Sequence, residues 1–133
     1  MTLRHLPPAF DTLPIAKAAI VDSIVFCTVV PEDDSGSIVG SSIVDQSRAV
    51  FAKLGEVLEE CGSSLERVAH VTVYLTDIAD RGGMTEVWRE VFADTLPARA
   101  TIGVASLAHP DMKIEITAVA HVSTPRPADA RIQ

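Results

Sequence analysis

The sequence predicts an α+β fold, a sandwich in which two helices cover one face of a mixed sheet. Three observations point to it. Runs rich in β-branched residues have strand length (24–30, 68–75, 112–122), and two other stretches repeat apolar residues at steps of three and four. The resulting order, β-β-α-β-α-β-β, lacks the regular spacing of a doubly wound nucleotide fold. With 133 residues, 47% of them apolar, the chain has the size of one domain and can bury one core. That domain is expected over 1–122. The remainder, "STPRPADARIQ", has little apolar content and two prolines, and is expected to be a mobile tail over 123–133.

The first strand candidate runs over 15–20, and Val21-Asp22-Ser23 is the turn into the second, 24–30. A hairpin fits this spacing. Pro31-Glu32-Asp33-Asp34-Ser35-Gly36-Ser37 then reads as a solvated loop. Ser41 and Ser42 can cap a helix that carries Val44, Ser47, Val50, Phe51, Leu54, Val57, Leu58 and Cys61 on one face, with Gly62 as its stop. In the third strand Ala69, Val71, Val73 and Leu75 alternate with His70, Thr72 and Tyr74. Asp77 offers an N-cap for a second helix with Met84, Val87, Trp88, Val91 and Phe92 at helical spacing, while Gly82-Gly83 lacks the lysine and spacing of a phosphate loop. Two further strands, 99–106 and 112–122, are joined through Ala108-His109-Pro110-Asp111.

With both helices on one face, the other face is expected to hold His70, Thr72, Tyr74, Thr101, Glu115 and Thr117 among valines and isoleucines. Such a face is too apolar to leave wet, so a homo-oligomer with clefts between subunits is expected. The net charge of −7 without a Lys/Arg cluster disfavours nucleic acid, and one Trp, one Tyr and four Phe give no platform for stacked bases. No apolar run has the length of a membrane span, and no secretory h-region precedes the domain, so a soluble cytoplasmic protein is expected. Cys27 and Cys61 are then two reduced thiols, a bridge between them being the alternative. The histidines show no metal-ligand spacing, and no metal is expected.

One constellation suggests chemistry. Arg99 follows Pro97-Ala98 at the threshold of an apolar strand, and its planar five-donor fork suits bidentate capture of a carboxylate. A structural salt bridge to Glu115 or to another subunit's acid is the plainer reading. Glu115 lies between isoleucines in Lys113-Ile114-Glu115-Ile116-Thr117, where burial raises a carboxyl's pKa and a nearby arginine lowers it. A plain hairpin at His109-Pro110 sets Arg99 opposite residue 119, so the two side chains can meet only through tertiary or subunit packing. Cys27 as a nucleophile is outweighed by a core role between Phe26 and Thr28.

Gly62-Ser63-Ser64-Leu65, then "VTVYLTDIAD", "PARATIGVASL" and "KIEITAVA", resemble in order and spacing the RidA (YjgF-type) family of reactive-intermediate imine deaminases, which carries a "PARST" segment and an "EIEAIA" ending. The likeness spans about residues 15 to 122. It implies a chorismate-mutase-like fold, a homotrimer with ligand clefts between subunits, and no metal or organic cofactor. It further implies that Arg99 grips the carboxylate of a small imino acid such as 2-aminoacrylate or 2-iminobutyrate, that Glu115 assists the attacking water, and that Thr101 lines the pocket. The departures lie on one wall. The family's "GPYSQA" is here Thr12-Leu13-Pro14-Ile15-Ala16-Lys17-Ala18, putting Ile15 at the pocket tyrosine. "SGQIP" becomes Cys27-Thr28-Val29-Val30-Pro31, and a position often Asn is Thr85. A more apolar, narrower pocket is expected, which suits either the small imines or a longer, aminomuconate-like intermediate. A non-catalytic trimer that binds a small carboxylate is the remaining reading.

Overall fold

Alternation of buried and exposed residues fixes the strands of the computed structural model, which describes residues 1–10 and 12–122. The expected tail, 123–133, lies outside the described residues. Strands β1 (Leu3–His5), β2 (Ala18–Val21) and β3 (Ile24–Val29) precede helix α1 (Ile43–Glu60); β4 (Val68–Leu75), helix α2 (Arg81–Phe92), β5 (Ala98–Gly103) and β6 (Ile114–His121) follow. They form one mixed sheet in the order β1-β2-β3-β6-β4-β5, with α1 and α2 on one face. No helix among the described residues is long and apolar enough to cross a membrane.

The expected pairing of the last two strands is corrected. β6 does not return beside β5; it inserts between β3 and β4, antiparallel to both, while β5 runs parallel to β4 at the sheet edge. Residue burial explains the choice. β6 buries Ile114, Ile116, Ala118 and Ala120, a complete apolar row that only a central strand can cover, whereas β5 has the partly exposed pattern of an edge. A parallel β4–β5 pair needs a crossover, and α2 supplies it. The unexpected β1 is short and exposed, and it forms by adding to the free edge of β2. β2 begins at Ala18, later than the apolar run from Ile15 suggests.

Ser42 caps α1, its Oγ accepting from the Asp45 N–H at 3.1 Å. At the far end the Ser63 N–H donates to Leu58 at 2.8 Å and the Gly62 N–H to Glu59 at 3.0 Å, with Gly62 at φ +80°. That is the left-handed helix stop that glycine adopts without strain. Asp77 caps a 3-10 turn, Ile78–Asp80, that precedes α2, and not α2 itself. At Gly83 the second helix packs tightly on the first: a Cβ there would sit 2.9 Å from the Ile43 Cγ2. Phe51, fully buried, meets Trp88 and Phe92 edge-on at 5.9 and 5.7 Å between centroids.

Gln46, on the buried face of α1, escaped the apolar periodicity. Its side chain donates to the carbonyls of Gly40 (3.1 Å) and Asp111 (2.7 Å) and accepts from the Lys113 N–H (2.7 Å). These bonds anchor the segment that leads into β6, and hence Glu115. Gln46→Leu leaves three backbone groups without their partner, and a loss of about 1–3 kcal/mol is expected in denaturant titration.

Candidate functional site

Register across the sheet decides which side chains share a face, because directly paired residues point the same way and successive residues alternate. Val71 pairs with Arg99 and Ala118, and Tyr74 with Glu115. Val71 and Tyr74 are three apart in one strand, so Arg99 lies on the helix side and Glu115 on the open side. The two cannot meet within one chain. Thr101 pairs with the buried Val73 and therefore also lies on the helix side, not on the open face expected for it.

Arg99 is held by α2. Its guanidinium lies 4.9 Å from the Trp88 ring centre, donates to the Thr85 Oγ1 at 3.1 Å and touches the Met84 sulfur at 3.8 Å. Among the described residues no carboxylate pairs with it. Burial lowers its pKa, and the positive charges of Arg81 and Arg89 lower it further. It stays charged, which makes this edge of the sheet a cation held without its own counter-ion.

The open face is different in character. Phe26 and Thr28 of β3 stand beside Thr117 and Val119 of β6, and with Ile15 they line a groove of about 370 Å³. Ile15 is 60% exposed and Phe26 47%. Cys27 borders the groove through its backbone, because its side chain, alternating with Phe26 and Thr28, turns into the core. Burial, then the neighbouring Cys61, pushes the Cys27 thiol up to about 12, so it is no nucleophile at neutral pH. Both cysteines are free and buried. Glu115 is on this same face, two residues before Thr117, and partial burial raises its carboxyl above the ordinary glutamate value. Among the described residues no group of three or more His, Cys, Asp or Glu could hold a metal.

The site residues singled out in the sequence thus fall into two sets. Arg99, Thr85 and Thr101 are at the β5/α2 edge; Ile15, Thr28, the Cys27 backbone and Glu115 border the open face. The sequence reading missed Trp88 as the support of Arg99, placing it only in the core. Its signal was available in the spacing, since Thr85, Trp88 and Arg89 share a helical stripe that the crossover lays against β5.

The sequence model for the endoribonuclease L-PSP family matches residues 14–122, which includes both sets. The chain belongs to this family, the YjgF/RidA family. Within it, the chain is 37% identical over 109 residues to the mitochondrial protein mmf2 of Schizosaccharomyces pombe, covering 80% of this chain and 86% of the relative. It is 32% identical over 109 residues to the 2-iminobutanoate/2-iminopropanoate deaminase of Mus musculus, with 80% of each chain covered. The crystal structure of a YjgF-family protein from Neisseria meningitidis superposes with a TM-score of 0.81 at 30% identity, over 94% of this chain and 98% of that one. The YjgF/RidA fold is therefore that of a mixed sheet with two helices on one face, as the residue pattern predicted.

Proposed function

We propose that the protein hydrolyses small carboxylate-bearing enamines and imines, of the 2-aminoacrylate or 2-iminobutyrate type, to 2-oxo acids and ammonia, in clefts completed between the subunits of a homotrimer. The observation that carries the reading is Arg99, a half-buried cation seated on Trp88 with no carboxylate of its own among the described residues. The 32% identity to the 2-iminobutanoate/2-iminopropanoate deaminase of Mus musculus supports it.

Arg99 binds the substrate carboxylate through its fork, while Thr85 and Trp88 fix the guanidinium plane. The neighbouring iminium carbon then faces whatever covers this edge. Glu115 of an adjacent copy takes a proton from water as the water oxygen bonds to that carbon. Glu115 passes that proton to the carbinolamine nitrogen and, ionised again, accepts the hydroxyl proton as the C=O bond forms and the C–N bond breaks; ammonia leaves and carries that last proton away as ammonium. An enamine is first protonated on its β-carbon. One water is consumed for each ammonia and 2-oxo acid released, and the steps call for no metal or organic cofactor. Two buried free thiols suit a reducing compartment, the cytoplasm in this reading.

The open face supports association of copies, and the resemblance to the family sets their number at three. Ile24, Phe26 and Ile102 stand 40%, 47% and 43% exposed on it, and a second copy is the natural cover. Sedimentation should give three chain masses, and Phe26→Glu should shift the protein to monomers with loss of activity. A monomeric natural protein at micromolar concentration contradicts the assembly.

The raised Glu115 pKa fixes a pH dependence. A base is active when ionised, so the acidic limb of kcat/KM should lie above the ordinary glutamate range, and it should vanish in Glu115→Gln. For stability the sign is opposite to that of a paired carboxylate. The folded state holds the Glu115 proton more tightly than the unfolded chain, so stability drops as pH rises from the ordinary value through the raised one. Glu115→Gln should remove that slope in thermal melts while activity falls about tenfold to a hundredfold.

A longer and more apolar substrate is the second reading, favoured by Ile15 and Phe26 along the groove. Ammonia release from 2-iminobutyrate and from an imine with an extended side chain separates the two. No acceleration of either, with retained binding of small carboxylates, would leave a binding protein.

A further inference from the structure

We propose that Arg81 and Arg89 flank Arg99 as receptors for a second negative charge, so that the imine this site favours is a dicarboxylate of about four or five carbons. The inference rests on the deaminase reading for its reaction and on the arginines for its substrate. Arg81, Thr85 and Arg89 recur at steps of four along α2, a single stripe on the helix surface. Thr85 is the member bonded to Arg99, at 3.1 Å, which turns the stripe toward the β5 edge. The two arginines therefore root about 6 Å to either side of that contact along the helix axis. A chain of two or three carbons between carboxylates bridges such an interval, and arginine side chains are long enough to close the remainder.

Charge is the second line of argument. The chain carries 18 acidic residues against 11 Lys and Arg, yet Arg81 and Arg89 lie near enough to Arg99 for their charges to act on it. Arg81 and Arg89 are exposed, and among the described residues neither has an ion-pair partner. Glu90, the acid next to Arg89, is taken by Arg48 at 3.1 Å. The charges felt by Arg99 are both positive and lower its pKa, so the cluster repels itself when empty. A monocarboxylate neutralises one charge of the three; a dianion relieves more of the repulsion and gains a second bidentate contact. The apolar groove at Ile15 lies on the opposite face of the sheet and does not serve this purpose.

The test compares 2-iminopropanoate with 2-iminosuccinate and 2-iminoglutarate, each generated in place from its amino acid by an oxidase, with ammonia release above the spontaneous rate as readout. In parallel, calorimetry measures binding of propionate and succinate to the intact oligomer. The natural protein should favour the dicarboxylates in kcat/KM by about tenfold or more, and succinate over propionate to a similar degree. Arg81→Gln and Arg89→Gln, alone or together, should reduce that preference about tenfold, and added salt should weaken it. Equal handling of both classes overturns the proposal while leaving the deaminase reading intact. So does a preference that survives in the double variant. If no imine is accelerated but succinate binds preferentially through Arg81 or Arg89, the deaminase reading fails and the dicarboxylate site stands.

Discussion

Arg99→Ala should reduce kcat/KM for 2-aminoacrylate and 2-iminobutyrate by about a hundredfold or more, the scale seen when a preorganised charge-stabilising donor is removed from an active site. The size of the effect follows from how the guanidinium is prepared. Trp88 lies beneath it at 4.9 Å, Thr85 holds one terminal nitrogen at 3.1 Å, and burial has already removed part of its water. The cost of ordering the side chain is met on folding, so the substrate carboxylate receives a fixed fork. Arg99→Lys keeps a charge but loses the planar pair of donors and the stacking on Trp88, so it should restore only a small part of the activity. Folding should suffer little in either variant. The guanidinium makes one hydrogen bond to a hydroxyl, a weak contact to the Met84 sulfur and one ring contact, together about 2–3 kcal/mol, and its removal relieves repulsion from Arg81 and Arg89, which offsets part of that loss. Initial rates of ammonia and 2-oxo acid release, with a thermal melt as control, check both statements. Undiminished turnover in a folded Arg99→Ala protein would sink the role assigned to this residue.

The largest effect on stability is expected from Phe51→Ala, about 3–5 kcal/mol. Phe51 is wholly buried between the helices, and its ring is the hub that meets both Trp88 and Phe92 edge-on. Truncation opens a cavity that the rigid sheet beneath, with Val71, Val73 and Ile116 also fully buried, cannot collapse to fill. The melting temperature should drop by about 10 °C or more. Because Trp88 supports Arg99, the same change should also raise KM for the carboxylate substrate. A melt within a few degrees of the natural protein would contradict this account of the core.

Much of the fold was legible because periodicity reports burial. The steps of three and four from Val44 to Cys61, closed by Gly62, announced α1 and its end, and alternation over residues 68–75 announced β4. What periodicity cannot report is pairing. The local spacing at His109-Pro110 suited a hairpin, yet the fully apolar inner row of β6 required a central place that only tertiary competition reveals. β1 was missed because three exposed residues carry no pattern, and Gln46 because a buried polar side chain interrupts an apolar count. At the candidate site, "PAR" and "KIEIT" marked Arg99 and Glu115 by resemblance. Chemistry alone reached a carboxylate receptor and an unusual carboxyl. That the two occupy opposite faces, and that α2 brings Trp88, Thr85, Arg81 and Arg89 to Arg99, depended on register and crossover, which no single stretch of sequence encodes.

That opposition of faces makes the central claim testable by mixing chains. Arg99→Ala and Glu115→Gln proteins, each strongly impaired alone, are denatured together, refolded at equal concentration, and assayed for ammonia release from 2-iminobutyrate above that of the separate variants, with a tag on one chain to demonstrate mixed oligomers. If each cleft takes Arg99 from one subunit and Glu115 from the next, a mixed trimer regains one intact cleft, and random assembly predicts about a quarter of the natural activity. Mixed trimers with no activity above the separate variants would contradict a site shared between subunits.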